Sequence, residues 1–251
     1  MPYFFLLFFL YFIPCGAEVK LLQAKVVATH PHSRQNFTQG LVVTDQFIYE
    51  SCGLYGESSL KKYDLQSKEL LAEVKLPARY FAEGIALFNN EIIQLTWKEK
   101  KAFVYDAKTL ELKKTIHYQG EGWGLCVDND ALWMSNGSAQ LFKRDPQTFA
   151  IQKVITVHDG KKKYALLNDL VCVGPFLYAN VFGKEKILRI DKQDGRLLAV
   201  IDCSALFPKS QRKNFSIEAV FNGIAYQDLS GHFFVTGKLW PLQFEITFEK
   251  K

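Results

Sequence analysis

Apolar residues recur along this chain in short runs, broken by Asn, Asp, Gly and Lys-rich turns. That is the rhythm of strands rather than helices. The clearest stretch predicts an apolar strand at 84–88, a turn at Asn89-Asn90 and a second strand at 91–97. A third follows at 102–106, and Ala107-Lys108-Thr109 turns into a fourth at 110–116. Four consecutive strands joined by tight turns form an antiparallel meander.

The same grammar occurs five times. A polar step enters an apolar strand at Gln39-Gly40-Leu41, Glu83-Gly84-Ile85, Trp123-Gly124-Leu125, Asn168-Asp169-Leu170 and Asn222-Gly223-Ile224. These steps are 40 to 54 residues apart, and each is followed 12 to 14 residues later by a small polar residue: Ser51, Thr96, Ser135, Asn180 or Thr236. Repeats of this length with several short strands each predict an all-β, five-bladed β-propeller. The third strands end alike, at Asp64, Asp106, Asp145 and Asp191, where a carboxylate can cap turn amides. The last unit stops after a third strand at Gln243–Phe248, whereas residues 19–29 precede the first signature without a unit of their own. The N-terminal strand is therefore expected to complete the fifth blade and cover its open edge. Residues 203–218 read as a polar, basic loop inserted into one domain covering 18–251.

Residues 3–13 form an unbroken apolar run, too short to span a bilayer as a helix. Followed by Pro14-Cys15-Gly16-Ala17, it reads as a secretory leader over 1–17, although no Lys or Arg precedes it. A retained anchor or a lipid on Cys15 is the alternative, and Phe12-Ile13-Pro14 suits lipidation poorly. The expectation is an exported protein, periplasmic or extracellular, without a stable membrane span. The net charge of +5 comes from scattered residues apart from 161–163 and 209–213, which argues for solvated loops and against nucleic-acid binding. Cys126 and Cys172 occupy matching places in adjacent repeats; they are expected as two small core residues, with a disulfide as the alternative. Asn36, Asn136 and Asn214 fit the glycosylation pattern, and a glycan on Asn136 would block the mouth described next.

In a propeller, matching positions line one ring. The first column brings Gln39, Glu83, Trp123, Asn168 and Asn222 to one mouth, joined by Cys52, Trp97, Asn136, Phe182 and Lys238 just past the second. A few polar groups converging in an apolar cleft make a small-molecule site. Asn222, before a Gly, also suits a turn, and Trp97 and Trp123 also suit packing between blades. Glu83 sits among Phe81, Ala82 and Ile85, where an ionised carboxylate is costly unless partnered; it is the leading functional candidate, with Lys238 next. The five histidines have no HExxH or CxxC companion, so no catalytic zinc site and no cofactor is expected. A structural cation on turn carboxylates stays open. Periodicity describes one ring and not its outer surface, and a monomer is the working expectation.

Several stretches resemble the glutaminyl-peptide cyclotransferases of the plant and bacterial type. They are 37–41 (FTQGL), 53–60 (GLYGESSL), 82–85 (AEGI), 95–97 (LTW), 122–125 (GWGL), 167–170 (LNDL) and 236–241 (TGKLWP). The likeness runs from about residue 25 to 248, and the family is a five-bladed propeller. The resemblance implies conversion of an N-terminal glutamine of a peptide or protein into pyroglutamate with release of ammonia. It implies Glu83 as the proton shuttle and Lys238 as a second catalytic group that stabilises developing charge. Phe37, Gln39, Trp97, Trp123, Asn168, Phe182 and Trp240 would bind substrate. The family usually carries Trp at Phe182, Glu at Asp169, Asp at Asn136 and Thr at Cys52, so an altered substrate preference is expected. The runner-up reading is an exported propeller that binds a small molecule or peptide without turnover; fold alone does not separate the two.

Overall fold

The computed structural model describes residues 18–251, so the leader expected over 1–17 lies outside the described residues. The described residues are all-β, and the first element among them is β1 (Lys20–Pro31). The first unit holds β2 (Thr38–Val43), β3 (Phe47–Cys52), β4 (Ser59–Asp64) and β5 (Leu70–Lys75). The second holds β6 (Ala82–Phe88), β7 (Glu91–Thr96), β8 (Lys101–Asp106) and β9 (Leu112–His117). The third holds β10 (Leu125–Asp128), β11 (Ala131–Ser135), β12 (Gln140–Arg144) and β13 (Ile151–Thr156). The fourth holds β14 (Leu167–Val173), β15 (Phe176–Val181), β16 (Lys186–Asp191) and β17 (Leu197–Asp202). The fifth holds β18 (Phe221–Gln227), β19 (His232–Gly237) and β20 (Leu242–Lys250). Residues 203–220 between them form the inserted loop, with one 3₁₀ turn at Lys209–Arg212.

The first three units are separate four-stranded antiparallel sheets, and the last two belong to one eight-stranded mixed sheet. The joint is β1. It runs antiparallel to β20 from Leu22↔Lys250 to Pro31↔Leu242, as the missing fourth strand of the fifth unit. On its other edge Lys20–Gln23 pair in parallel with Ala199–Asp202 of β17, which the sequence pattern did not predict. The turns follow their residues. Asn89 and Asn90 both take positive φ between β6 and β7, as a two-residue hairpin of the primed type requires. Asp64, Asp106 and Asp145 each accept two backbone N–H bonds in the turn after the third strand, and Asp191 accepts one.

First strands contact one another in a closed cycle: β2 with β6, β6 with β10, β10 with β14, β14 with β18 and β18 with β2. The apolar core is divided in the same way. One cluster packs Tyr49 and Leu60 against Ile85 and Ile92, the next Ile93 and Leu95 against Leu125 and Leu132, then Trp133 and Leu141 against Leu170 and Leu177. The last two join Ile187 and Ile201 to Ile224 and Val235, and Ala225 and Phe234 to Leu41 and Ile48. Every core thus lies between neighbouring units, so no unit has a complete core by itself.

Both signature columns have a physical cause. A Cβ on Gly40 would lie 2.6 Å from Ile85 N, one on Gly84 2.5 Å from Trp123 O, and one on Gly124 2.7 Å from Asp169 Cα. Adjacent first strands approach too closely there for a side chain. The small polar column ties backbones together: Ser135 Oγ accepts from Gly124 N and donates to Asn168 O, and Asn180 Oδ1 accepts from Gly223 N. One expectation is corrected here. Cys126 of β10 and Cys172 of β14 form a disulfide across the third and fourth units, with Cα atoms 5.7 Å apart, because matching positions of adjacent first strands are side by side.

A buried charged network fastens the fifth unit to the first. The two ring nitrogens of His32 meet Trp240 O at 2.6 Å and Glu50 Oε1 at 2.9 Å. Both partners only accept, so both nitrogens carry hydrogen and the ring is an imidazolium. Glu50 also accepts from Asn36 Nδ2 and Thr38 Oγ1, and Lys61 donates to Asn36 Oδ1. Burial pushes the His32 pKa down, but Glu50 outweighs it and leaves the ring above its usual 6.5. Burial pushes the Glu50 carboxyl up, and His32, the Thr38 hydroxyl and Lys61 leave it below 4.5. The His32 contribution to stability is complete below pH 6.5 and is lost as pH rises through the higher folded value. The Glu50 contribution is complete above pH 4.5 and is lost as pH falls through the lower folded value. Thermal unfolding is therefore expected to show falling stability as pH is raised above 6.5. His32→Gln should be destabilised and should lose that dependence; an identical slope in the variant would remove His32 as its source.

Candidate active site

At the strand ends where the signatures lie, one cavity of roughly 430 Å³ is lined by Phe37, Gln39, Leu54, Phe81, Glu83, Trp97, Trp123, Asn168, Phe182, Ile217, Glu218, Val220 and Lys238. Eight of the nine residues singled out from the sequence meet there. The local device that aims them is an irregularity in strand pairing. Register shifts fall between Thr38 and Gly40, Ala82 and Ile85, Leu167 and Leu170, and Phe221 and Ile224. They bracket Gln39, Glu83, Asn168 and Asn222. A bulge bends the strand and re-aims a side chain, which turns these groups toward the centre.

Glu83 is buried, and its Oε1 accepts from Gln39 Nε2 at 3.3 Å. The Gln39 amide is oriented in turn by Asn222, whose Nδ2 reaches Thr38 O at 3.0 Å, Gln39 O at 3.2 Å and Gln39 Oε1 at 3.4 Å. Asn222 therefore does not line the mouth as the column implied; it fixes the residue that does. Burial holds the Glu83 carboxyl well above the usual carboxylate range. Lys238 opposes that rise, and the carboxyl groups of Asp169, Glu121 and Glu99 add to it. Lys238 is 5% exposed, its ammonium 4.5 Å from the centre of the Phe37 ring and 5.3 Å from that of Phe182. Burial lowers its pKa, while Glu83 and Glu218 restrain the fall. Asn168 is buried, and its Oδ1 has no hydrogen-bond partner among the described residues, an arrangement that suits a donor supplied by a bound molecule.

The walls are aromatic. Phe81 meets the edges or faces of Phe37, Tyr55 and Trp97 at 5.3–6.3 Å between ring centres, and Trp123 meets Phe182 at 5.9 Å. Both indole N–H groups, Trp97 at 2.9 Å and Trp123 at 3.1 Å, donate to the same oxygen of Glu121. The column pattern missed Glu121 because it stands two residues before the signature and acts through the rings it holds.

Trp240, taken above as substrate-binding, is elsewhere. It is fully buried, its Nε1 donating to Ala219 O at 3.0 Å, among Phe207, Phe221 and Phe244. Leu239 has φ of 59°, which reverses the backbone between Lys238 and Trp240 and sends the indole into the core. Cys52 is also buried outside the cavity lining, packed within the first unit. Conversely, the inserted loop contributes Ile217 and Glu218 to the wall, which no periodic signal announced. Among the described residues no cluster of three or more His, Cys, Asp or Glu is placed to hold a metal ion. No helix among them is long and apolar enough to cross a membrane.

Comparison with known proteins places this arrangement. The family model described as glutamine cyclotransferase matches residues 12–248. The chain belongs to the glutamine cyclotransferase family. It is 35% identical over 229 residues to a glutaminyl-peptide cyclotransferase of Arabidopsis thaliana, covering 90% of this chain and 72% of the relative. It also superposes on the crystal structure of Myxococcus xanthus glutaminyl cyclase with a TM-score of 0.86 at 34% identity, covering 92% of this chain and 99% of that one. The protein is thus an enzyme homologous to glutaminyl-peptide cyclotransferases, and its family implies peptides with N-terminal glutamine as substrates.

Proposed function

We propose that this enzyme cyclises the N-terminal glutamine of peptides and proteins to pyroglutamate with release of ammonia, at the centre of a five-bladed β-propeller. The observation that carries the proposal is one buried carboxylate, Glu83, in a cavity that also holds Gln39, Asn168 and Lys238 between Trp97 and Trp123. Cyclisation requires the α-amine to attack its own γ-carboxamide carbon, so the side chain must be folded back over the amine. A snug aromatic enclosure favours that folded form and excludes water, whose attack would give glutamate instead.

The α-amine has an ordinary pKa of roughly 7.7–8.0, so a useful minority is neutral near pH 7. The harder task is transfer of a proton from the attacking nitrogen to the departing one. Ionised Glu83 accepts it from the attacking amine and, now protonated, delivers it to the leaving amide nitrogen, which departs as ammonia. Its elevated pKa suits both halves of that exchange. Lys238 stabilises the oxyanion that forms on the γ-carbonyl oxygen. Gln39 and the open acceptor of Asn168 hold the substrate's amine and amide donors. Phe182 closes the wall beside Trp123 but offers no indole N–H, which supports a substrate preference different from that of relatives with tryptophan there.

Ammonia release from a Gln-initiated dipeptide tests the reading. A rate well above the spontaneous one, unchanged by chelators, is expected; a rate equal to the spontaneous one overturns it. We further propose export through the leader at residues 1–17, with which the Cys126–Cys172 disulfide is consistent, since such bonds persist in oxidising compartments. N-terminal sequencing of the protein recovered outside the cytoplasm should begin near Glu18; a chain still beginning at Met1 would refute it.

A further inference from the structure

A second groove, of roughly 330 Å³, opens beside the active-site cavity and is lined by the turn 183–185 and by residues 209–221 of and after the insertion. The two hollows share Ile217 and Val220. Ile217 is 95% exposed on the ridge between them, so a chain running from one hollow to the other would bury it. The groove is built rather than loose. Arg212 is ion-paired with Glu185, donates to Ala219 O and stacks 5.0 Å over the Trp240 ring. Arg34 lies 4.1 Å over the ring of Phe215 and pins the insertion from the other side.

The charges sort along this path. Glu218 stands at the active-site end, with Glu99 and Glu121 close enough to act on Glu83, a setting that receives a substrate's α-ammonium. Beyond Ile217, Glu185 is neutralised by Arg212. Lys184 and Lys209 are exposed and have no ionic partner among the described residues. We infer that this groove is the subsite for the residues following the N-terminal glutamine, and that Lys184 and Lys209 make the enzyme prefer an acidic side chain at the second to fourth position of the peptide. The inference rests on the cyclisation reading, since it assumes that the glutamine end occupies the Glu83 cavity. An extended peptide advances about 3.3–3.6 Å per residue, so a few residues suffice to cross the Ile217 ridge.

The test compares C-terminally amidated peptides that begin with glutamine and carry Asp, Ala or Lys singly at positions two to four. Expected kcat/KM falls in the order Asp, Ala, Lys, with about a three- to tenfold span, the size that one or two exposed ion pairs support. The span should shrink toward unity near 1 M salt, where the screening length is about 3 Å. In the double variant Lys184→Glu/Lys209→Glu the order should invert, each rate being taken relative to that variant's Ala peptide. An unchanged order in that variant, or no order in the wild type, overturns the inference. The corresponding pyroglutamyl peptides, followed by quenching of Trp97 and Trp123 fluorescence, separate the two readings. If no glutamine peptide is cyclised, the cyclisation reading fails; charge-ranked binding of the pyroglutamyl series then still supports the groove, and binding without rank, or none, removes it.

Discussion

Glu83→Gln is expected to lower kcat/KM for a Gln-initiated peptide by about 10²- to 10⁴-fold, the usual worth of a positioned acid–base group. The substitution keeps the shape of the side chain and removes its capacity to carry a proton, together with the negative charge that acts on Lys238. The cause lies in its surroundings: burial, reinforced by Asp169, Glu121 and Glu99, holds the carboxyl well above 4.5 against the pull of Lys238. Because the ionised form must accept the proton, wild-type kcat/KM should rise with pH through that elevated value. Its acid limb should therefore include a step well above pH 4.5 from Glu83, and that step should vanish from the residual activity of the variant, leaving the limb of the substrate's own α-amine at roughly 7.7–8.0. Equal rates in the two proteins would remove Glu83 as the proton carrier. Loss of activity with that step still in place would mean that some other group sets the pH profile.

Gly124→Ala is the second large effect, and it acts on the scaffold. The added methyl would overlap Asn168 O and lie 2.7 Å from Asp169 Cα and 2.8 Å from Asn168 C. Those are backbone atoms of the neighbouring first strand, so no rotamer change can relieve the clash. Overpacking of this kind typically costs about 1–3 kcal/mol, and the strand that would have to yield carries Asn168 itself. A fall in denaturation midpoint with a raised KM is expected. A variant with wild-type stability would mean that adjacent strands are not held at this spacing. Gly56, whose added Cβ would meet nothing within 4 Å, has a positive φ of 84° and so tests turn strain instead.

Much of this was legible because one geometric demand repeats. Close approach of first strands leaves room for a glycine and little else, so Gly40, Gly84 and Gly124 write the period into the sequence. The bulges beside them put Gln39 and Glu83 one step ahead of a glycine and Asn168 one step ahead of Asp169, and so all three could be found by column. Trp240 misled because proximity in sequence to Lys238 says nothing about a left-handed residue between them. Asn222 obeyed the column but serves Gln39 rather than the cavity, a distinction of hydrogen-bond partners that spacing does not encode. Cys126 and Cys172 hold matching places in adjacent repeats, but two small core residues fill such places equally well, so spacing alone favours the unbonded reading that the disulfide overturns. Glu121 and Ile217 had no periodic signal at all, since one acts through indole N–H groups and the other comes from an insertion present in a single unit.

The pairing of Leu22 with Lys250 has a consequence for the order of events during biosynthesis. The earliest-made strand must wait for the latest-made one, so a nascent polypeptide cannot finish its native hydrogen bonding until more than two hundred further residues have emerged. Contacts of such sequence separation slow folding. Until then the edge of β1 that will meet β20 is bare, and a nascent or stalled chain is exposed to the mispairing that the finished molecule avoids.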